Sequence, residues 1–327
     1  MNKLIDSKGR NVDYLRISVT DRCNERCVYC MTENHEGWLP QSGILLYEEL
    51  LAIVRVAVSL GFKQFRVTGG EPLIRPGIVD FIREVIATPG VDSVQITTNG
   101  TRLPQLAQPL FDAGLRRMNI SLDALGPKIY RAITGGDLEP VLRGIRLVQE
   151  IGFPSVKLNT VLMRGRNESE FMPLLSFAAE HDIAIRFIEL MPVSSSEVLK
   201  ENIFLPVAEV LSLLRQQDEL IPLDDPLGYG PAKYYRMKKL GATVGVIGAM
   251  SDLHFCERCN KMRLTCDGKL RPCLGNHMET DLLPALRPAV SEDELRGLFL
   301  KTLSEKPAEH SFRDNFVPLR VMTAIGG

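Results

Sequence analysis

Seven cysteines are present in the chain, and six of them fall into two groups of three. The first group lies in CNERCVYC, residues 23–30, as Cys23, Cys27 and Cys30. The second opens with Cys256 and Cys259 in CERC and closes at Cys273, with Cys266 inside the span. Clustered thiols in an odd total read as metal ligands rather than as a disulfide framework. Three closely spaced thiolates suit an iron–sulfur cluster, whose irons take cysteine sulfur. If such a cluster has four irons, one iron lacks a protein ligand and is open to a small molecule. Zinc is the alternative at both places, with His35 as a fourth ligand at the first and Cys266 completing a four-cysteine knuckle at the second. Cys266 itself sits in the alternating run MRLTCDGKL and reads as a small buried hydrophobe.

These groups need elements to hold them. From residue 12 to about 215, strand-like runs (YLRISVT, QFRVTGG, SVQITTNG, RMNISLD, VKLNTVLM, AIRFIELMP) alternate with amphipathic helical stretches. Six β–α units in series predict a parallel sheet, open or curled into a barrel. The first cysteine group follows the first strand, at the end where α/β barrels place their active sites. TGGEP ends the second strand: Gly69 and Gly70 let backbone approach a ligand closely, and Pro72 suits a first helical turn. Thr97, Ser121 and Met191 end the third, fourth and sixth strands. The hydroxyls there suit hydrogen bonds to a bound ligand, whereas a methionine in that place is ordinarily core.

Parallel strands buried on both sides should be apolar on both faces. Nearly every strand here alternates instead. Its second face carries Arg16 and Ser18, Arg66 and Thr68, Gln95 and Thr97, Asn119 and Ser121, Lys157 and Asn159, and Arg186. A curled sheet with helices outside and a polar interior accounts for this pattern. Four cations on such a face would be very costly without a partner, so the interior is expected to hold a strongly anionic ligand.

A net charge of −1 over 327 residues excludes a general nucleic-acid-coating surface and a polybasic membrane anchor. No signal-peptide core and no transmembrane stretch is evident, so a cytoplasmic protein is expected. Pro- and Gly-rich IPLDDPLGYGPAKYYR, residues 221–236, reads as a boundary between a larger region, 1–220, and a smaller cysteine-bearing one, 221–327. The terminal Gly326 and Gly327 follow FVPLRVMTAI, which is too apolar for a merely solvated tail.

The C-x3-C-x2-C loop after a first strand resembles the signature of the radical S-adenosylmethionine enzymes. That resemblance implies an open iron that binds the amino and carboxylate groups of S-adenosylmethionine, whose cleavage gives a 5′-deoxyadenosyl radical. It also implies Tyr29, Gly70, Ser121 and Met191 as cofactor contacts. From LRISVTDRCN through FRVTGGEP, TTNG, ISLDAL, VKLN and RFIELMP to CxxC…C and the final GG, the chain resembles one family, the GTP 3′,8-cyclases of molybdenum cofactor biosynthesis.

This second resemblance implies an incomplete (βα)6 TIM-type barrel with a C-terminal cluster-bearing region. It implies two [4Fe–4S] clusters, on Cys23, Cys27 and Cys30 and on Cys256, Cys259 and Cys273, with the guanine of GTP on the second. GTP contacts would come from Arg16, Arg66, Thr97, Lys157 and Arg186 and from Lys261, Met262 and Arg263. Arg263, Lys261 and the inserted diglycine, Gly326 and Gly327, would serve the chemistry. The product would be 3′,8-cyclo-7,8-dihydro-GTP. A flavodoxin or ferredoxin would give electrons, a cyclic pyranopterin monophosphate synthase would take the product, and the chain would act as monomer or homodimer. Two positions depart from the family: Lys261 replaces the usual arginine, losing its fork, and Gln64 stands where lysine is common. A radical peptide maturase and a two-site zinc scaffold are the rival readings.

Overall fold

The computed structural model describes residues 4–31, 37–193, 202–224, 227–314 and 316–326. Its strands are β1 (Tyr14–Ser18), β2 (Gln64–Thr68), β3 (Ser93–Thr98), β4 (Arg117–Ser121), β5 (Ser155–Leu162) and β6 (Ala184–Glu189). The C-terminal part adds β7 (Leu220–Leu223), β8 (Lys233–Met237), β9 (Thr243–Ile247), β10 (Lys261–Leu264), β11 (Lys269–Arg271) and β12 (Thr280–Asp281). All belong to one sheet in the order β12-β11-β10-β1-β2-β3-β4-β5-β6-β9-β8-β7.

The six expected parallel strands are present and adjacent. They are not the whole parallel array, because β10 pairs parallel to β1 and β9 parallel to β6. Antiparallel strands then end the ladder on both sides. Among the described residues β12 and β7 do not pair, so hydrogen bonding leaves the curled sheet open. The stretch 221–236, read as a boundary, is where described largely a hairpin: Leu220 opposes Met237 and Leu223 opposes Tyr234.

Helices α1 (Tyr47–Leu60), α2 (Ile78–Ala87), α3 (Leu103–Asp112), α4 (Pro127–Thr134), α5 (Leu138–Ile151) and α6 (Phe171–Glu180) cross between the strands. Helices α7 (Val207–Gln217), α8 (Glu292–Ser304) and α9 (Met322–Ile325) follow. Apart from α9, which belongs to the tail, they cover one face of the sheet, where Leu15, Ile17, Phe65, Val67, Ile96, Ile120, Leu158, Ile185 and Phe187 are fully buried in the main core. Each such side chain contributes about 1.5–3 kcal/mol by leaving water. No described helix is long and apolar enough to cross a membrane.

Candidate active site

The first cysteine loop leaves β1 and is fastened to the turn after β2. The Gly70 N–H donates to the Thr20 carbonyl at 2.7 Å, and the Glu71 N–H donates to that of Arg22 at 2.8 Å. A Cβ on Gly70 would lie 2.3 Å from the Arg22 carbonyl oxygen and 2.6 Å from that of Asp21. Crowding by the cysteine loop itself already demands glycine here. With the Gly70 N–H engaged, a ligand here meets carbonyl oxygens, which suit a donor such as an ammonium group.

Three buried carboxylates surround this loop. Tyr130 donates its hydroxyl to Glu25 Oε1 at 2.7 Å, and Tyr29 donates to Asp123 Oδ2 at 2.7 Å. Glu71 accepts from the Leu73 N–H at 2.9 Å, from Thr98 Oγ1 at 2.7 Å and from the Asn99 N–H at 2.7 Å. Burial pushes Glu25 and Glu71 up to about 7 and Asp123 up to about 6. Burial also pushes the Cys23 and Cys30 thiols up to about 12, and Cys27 well above its usual value. Cys30 acts electrostatically on both other thiols, which makes the three neighbours. Thiols that are half-buried, adjacent and costly to ionise alone fit an iron cluster, whose cations stabilise the thiolates. Among the described residues, no three His, Cys, Asp or Glu side chains are grouped to hold a metal ion. The fit therefore rests on the chemistry and proximity of the donors. His35, the zinc alternative, lies outside the described residues.

The second group has cationic surroundings. Cys256 and Cys259 precede β10, and Cys273 follows β11. Burial pushes the Cys259 thiol up, but the Lys306 and Lys261 ammonium groups more than offset it, leaving this thiol below its usual value. Burial dominates at Cys256 and Cys273, which stay raised. Cys266 is buried, as expected of a small hydrophobe.

Between the groups lies the charged inner face of the sheet. Strand register sets Arg263 beside Arg16, Arg16 beside Arg66, and Arg66 beside Gln95. Further round, Asn119 stands beside Thr97 and Lys157, and Asn159 beside Arg186. Among the described residues none of Arg16, Arg66, Lys157, Arg186, Lys261 and Arg263 forms an ion pair with a carboxylate. Their partners are neutral: Arg66 donates to Gln95 Oε1 at 2.7 Å, and Arg186 donates to Asn159 Oδ1 at 2.9 Å. Burial pushes Lys157 and Lys261 down to about 8, and neighbouring arginines push them the same way. Burial takes Arg186 and Arg263 down to about 10, and Arg16 well below its ordinary value. Arg16 Nε, Arg66 Nε and Tyr14 Oη are buried without a hydrogen-bond partner. The face is thus short of acceptors and negative charge.

Thr97 faces this interior, where it accepts from Asn119 Nδ2 at 3.4 Å, and Ser121 stands beside Asn159 at the end of β4. Met191 packs with Val193, Phe312 and Phe316, part of the apolar cluster under the tail. Met262 turns its side chain away, fully buried in the helix-side core, so it adds no side chain to the charged face. The reason is strand parity: it stands beside Leu15, between inward Lys261 and Arg263. Gln64 also lies on the inner face beside Tyr14, with Oε1 unpartnered.

The tail reaches the same place. Arg263 Nη1 donates to the Gly326 carbonyl at 2.7 Å, and a Cβ on Gly326 would meet Thr68 Oγ1 at 2.7 Å and Ser18 Cβ at 2.8 Å. Gly327 lies outside the described residues.

Sequence reasoning missed Tyr14, Arg117 and Tyr229. Tyr14 lies between Arg66 and Lys261, whose charged groups are 5.5 and 5.4 Å from its ring centroid. Arg117 stacks on Tyr229 at 5.3 Å, closing a recess that Lys157, Arg186 and Tyr234 also line. Strand parity alone would have found Tyr14 and Arg117, two residues before Arg16 and Asn119. Tyr229, on the hairpin loop, leaves no such signal.

Two family models cover most of the chain: the radical SAM superfamily over residues 17–178 and Molybdenum Cofactor Synthesis C over residues 183–312. A protein named GTP 3′,8-cyclase from Pelotomaculum thermopropionicum is 44% identical over 324 residues, spanning 98% of this chain and 99% of its own. One of the same name from Moorella thermoacetica is 42% identical over 323 residues, spanning 98% and 99%. The chain belongs to the GTP 3′,8-cyclase family. Among solved structures, Streptococcus suis SuiB bound to S-adenosylmethionine matches with TM-score 0.59 and 16% identity, over 84% of this chain and 64% of that one. SuiB bound to precursor peptide SuiA matches with TM-score 0.60 and 16% identity, over 90% and 70%. At that identity the likeness shows the radical SAM fold alone, so the peptide of SuiB says nothing about what a GTP 3′,8-cyclase family member takes.

Proposed function

We propose that the chain is a radical S-adenosylmethionine GTP 3′,8-cyclase that converts GTP to 3′,8-cyclo-7,8-dihydro-GTP in molybdenum cofactor biosynthesis. The observation that carries the substrate is the inner face itself, where buried and half-buried cations face one another with no carboxylate among the described residues to pair them. A triphosphate supplies both the negative charge and the acceptors that Arg16 Nε and Arg66 Nε lack. Cys23, Cys27 and Cys30 would hold one [4Fe–4S] cluster and Cys256, Cys259 and Cys273 the other; when bound, the first supplies the electron that cleaves S-adenosylmethionine. Tyr29, Gly70, Ser121 and Met191 would bind that cofactor. Arg16, Arg66, Thr97, Lys157, Arg186 and Lys261 would hold GTP, with Met262 limited to its main chain. Arg263 would join substrate, second cysteine group and tail, since it already holds Gly326 in place. No side chain need act as nucleophile; the barrel contributes position and charge.

Electrons would come from a flavodoxin or ferredoxin in the cytoplasm, and a cyclic pyranopterin monophosphate synthase would take the product. The test is anaerobic reconstitution, then dithionite, S-adenosylmethionine and GTP. About eight irons per chain and GTP-dependent 5′-deoxyadenosine are expected. Zinc in place of iron, with no 5′-deoxyadenosine, would overturn the reading.

A further inference from the structure

Lys306 follows α8 and is almost wholly buried, at 3% exposure. Its ammonium donates to the Lys261 carbonyl at 2.8 Å and the Pro272 carbonyl at 2.6 Å, and it lies 3.5 Å from Cys259 Sγ. Lys261 is two residues after Cys259, and Pro272 directly precedes Cys273, so one charged group ties two of the three cysteine arms. The next residues reach the third. Arg10 donates to the Pro307 carbonyl at 2.6 Å, to that of Ala308 at 2.7 Å and to that of Cys256 at 3.1 Å. The Ser311 N–H donates to the Gly275 carbonyl at 2.8 Å, beyond Cys273.

Among the described residues no carboxylate pairs with the Lys306 ammonium, and a buried ammonium needs a counter-charge. The thiolates of a cluster on these cysteines are the negative charge within its reach. We infer that Lys306 is a positioning residue for the second cluster: it binds the Cys259 and Cys273 arms together and, by its charge and its hydrogen bond to Cys259 sulfur, raises that cluster's reduction potential. Hydrogen bonds to ligand sulfur and local net charge are the protein's means of setting such potentials. The inference rests on the proposed function only in requiring iron and sulfide on the second cysteine group.

The test uses the full chain carrying Cys23→Ala, Cys27→Ala and Cys30→Ala, so that only the second cluster contributes, with Lys306→Met and Lys306→Arg added separately. Iron and sulfide are counted, and the cluster is titrated redox-potentiometrically under electron paramagnetic resonance. With Lys306→Met we expect the reduction equilibrium to shift about tenfold toward the oxidised cluster, about 59 mV for one electron. Lys306→Arg should restore most of that shift. Iron lost from Lys306→Met but kept by Lys306→Arg would also support the role. An intact cluster with an unchanged potential in Lys306→Met would overturn it, and so would equal iron loss in both variants, which would leave packing alone. Absence of iron and sulfide from the parent triple variant would instead overturn the two-cluster function, and this inference with it.

Discussion

The two cysteine groups share a donor set but sit in opposite electrostatic surroundings. Around the first are Glu25, Glu71 and Asp123, all buried, and their charges push Cys23 and Cys27 further up after burial has done so. Around the second are Lys306, Lys261 and Arg10, and Cys259 ends below its usual thiol value. Negative surroundings disfavour adding an electron to a cluster and make its reduced form a stronger donor; positive surroundings do the reverse. The first site thus suits delivery of an electron to a cationic sulfonium cofactor, and the second suits an anionic substrate. One sheet separates the two fields, because its inner strands carry cations from β10 across to β6 while the acids cluster at the first loop.

Removing one ligand from each side tests this division most severely. Cys256→Ala should abolish GTP cyclisation yet leave S-adenosylmethionine cleavage under dithionite, whereas Cys23→Ala should abolish both. Product formation and 5′-deoxyadenosine are measured side by side. Normal cyclisation by the Cys256 variant would deny the second site any part in catalysis.

Next in size is Arg16→Met. Arg16 is half-buried with its Nε out of reach of water, and Arg263 and Arg66 repel it. Losing it should weaken GTP binding roughly 10–100-fold, the worth of a hydrogen bond to a charged group. The apo protein should nonetheless melt higher, because like-charge repulsion is relieved. Calorimetry of both properties distinguishes this from misfolding, which would lower both. An unchanged GTP affinity would remove Arg16 from the substrate face.

The tail offers a smaller effect. Gly326 has φ +88° and no room for a Cβ between Thr68 and Ser18. Gly326→Ala should cost about 1–2 kcal/mol in backbone strain, more with the clash, and should loosen the Arg263 contact. Faster hydrogen exchange over residues 316–326, with the sheet unaffected, is the expected sign. The Arg320–Asp267 pair at 2.9 Å keeps the rest of the tail anchored. Exchange identical to the parent would mean that the tail does not need this seat.

Much of this division could be read from the sequence, and the failures have physical reasons. Period-2 alternation placed Arg16, Arg66, Lys157 and Arg186 on one face because a strand's side chains strictly alternate. The same rule, applied to Lys261–Met262–Arg263, would have sent Met262 to the core. β9 and β10 join the parallel array only through partners far away in the chain, which no local pattern reveals. The acidic surroundings of the first loop were also invisible. Glu25, Glu71 and Asp123 come from three separate segments, so no local spacing groups them. Lys306 was missed for the same reason, lying 33 residues beyond Cys273 in an ordinary polar stretch.

The finest probe of the cationic side is pH. Burial, then Arg186, Arg117 and Arg66, hold the Lys157 ammonium down to about 8. Between that value and the ordinary lysine range, the unfolded chain binds a proton that the native apo protein has released. Apo stability attributable to Lys157 therefore rises with pH through that window, and below it the cost of the buried charge is fully present. GTP binding has the opposite slope, since the phosphates need the protonated form. From pH 7 to pH 9 the protonated fraction of Lys157 falls roughly tenfold, so the part of GTP affinity that depends on Lys157 should fall by at most about that factor. It is read by isothermal titration beside the further loss from Lys261, which also sits at about 8. Lys157→Arg keeps its charge across the range and should make the profile shallower, leaving the slope that Lys261 contributes. Equal slopes in the two proteins would mean that Lys157 stays charged in the apo site, and that the field on this face is weaker than its unpaired cations imply.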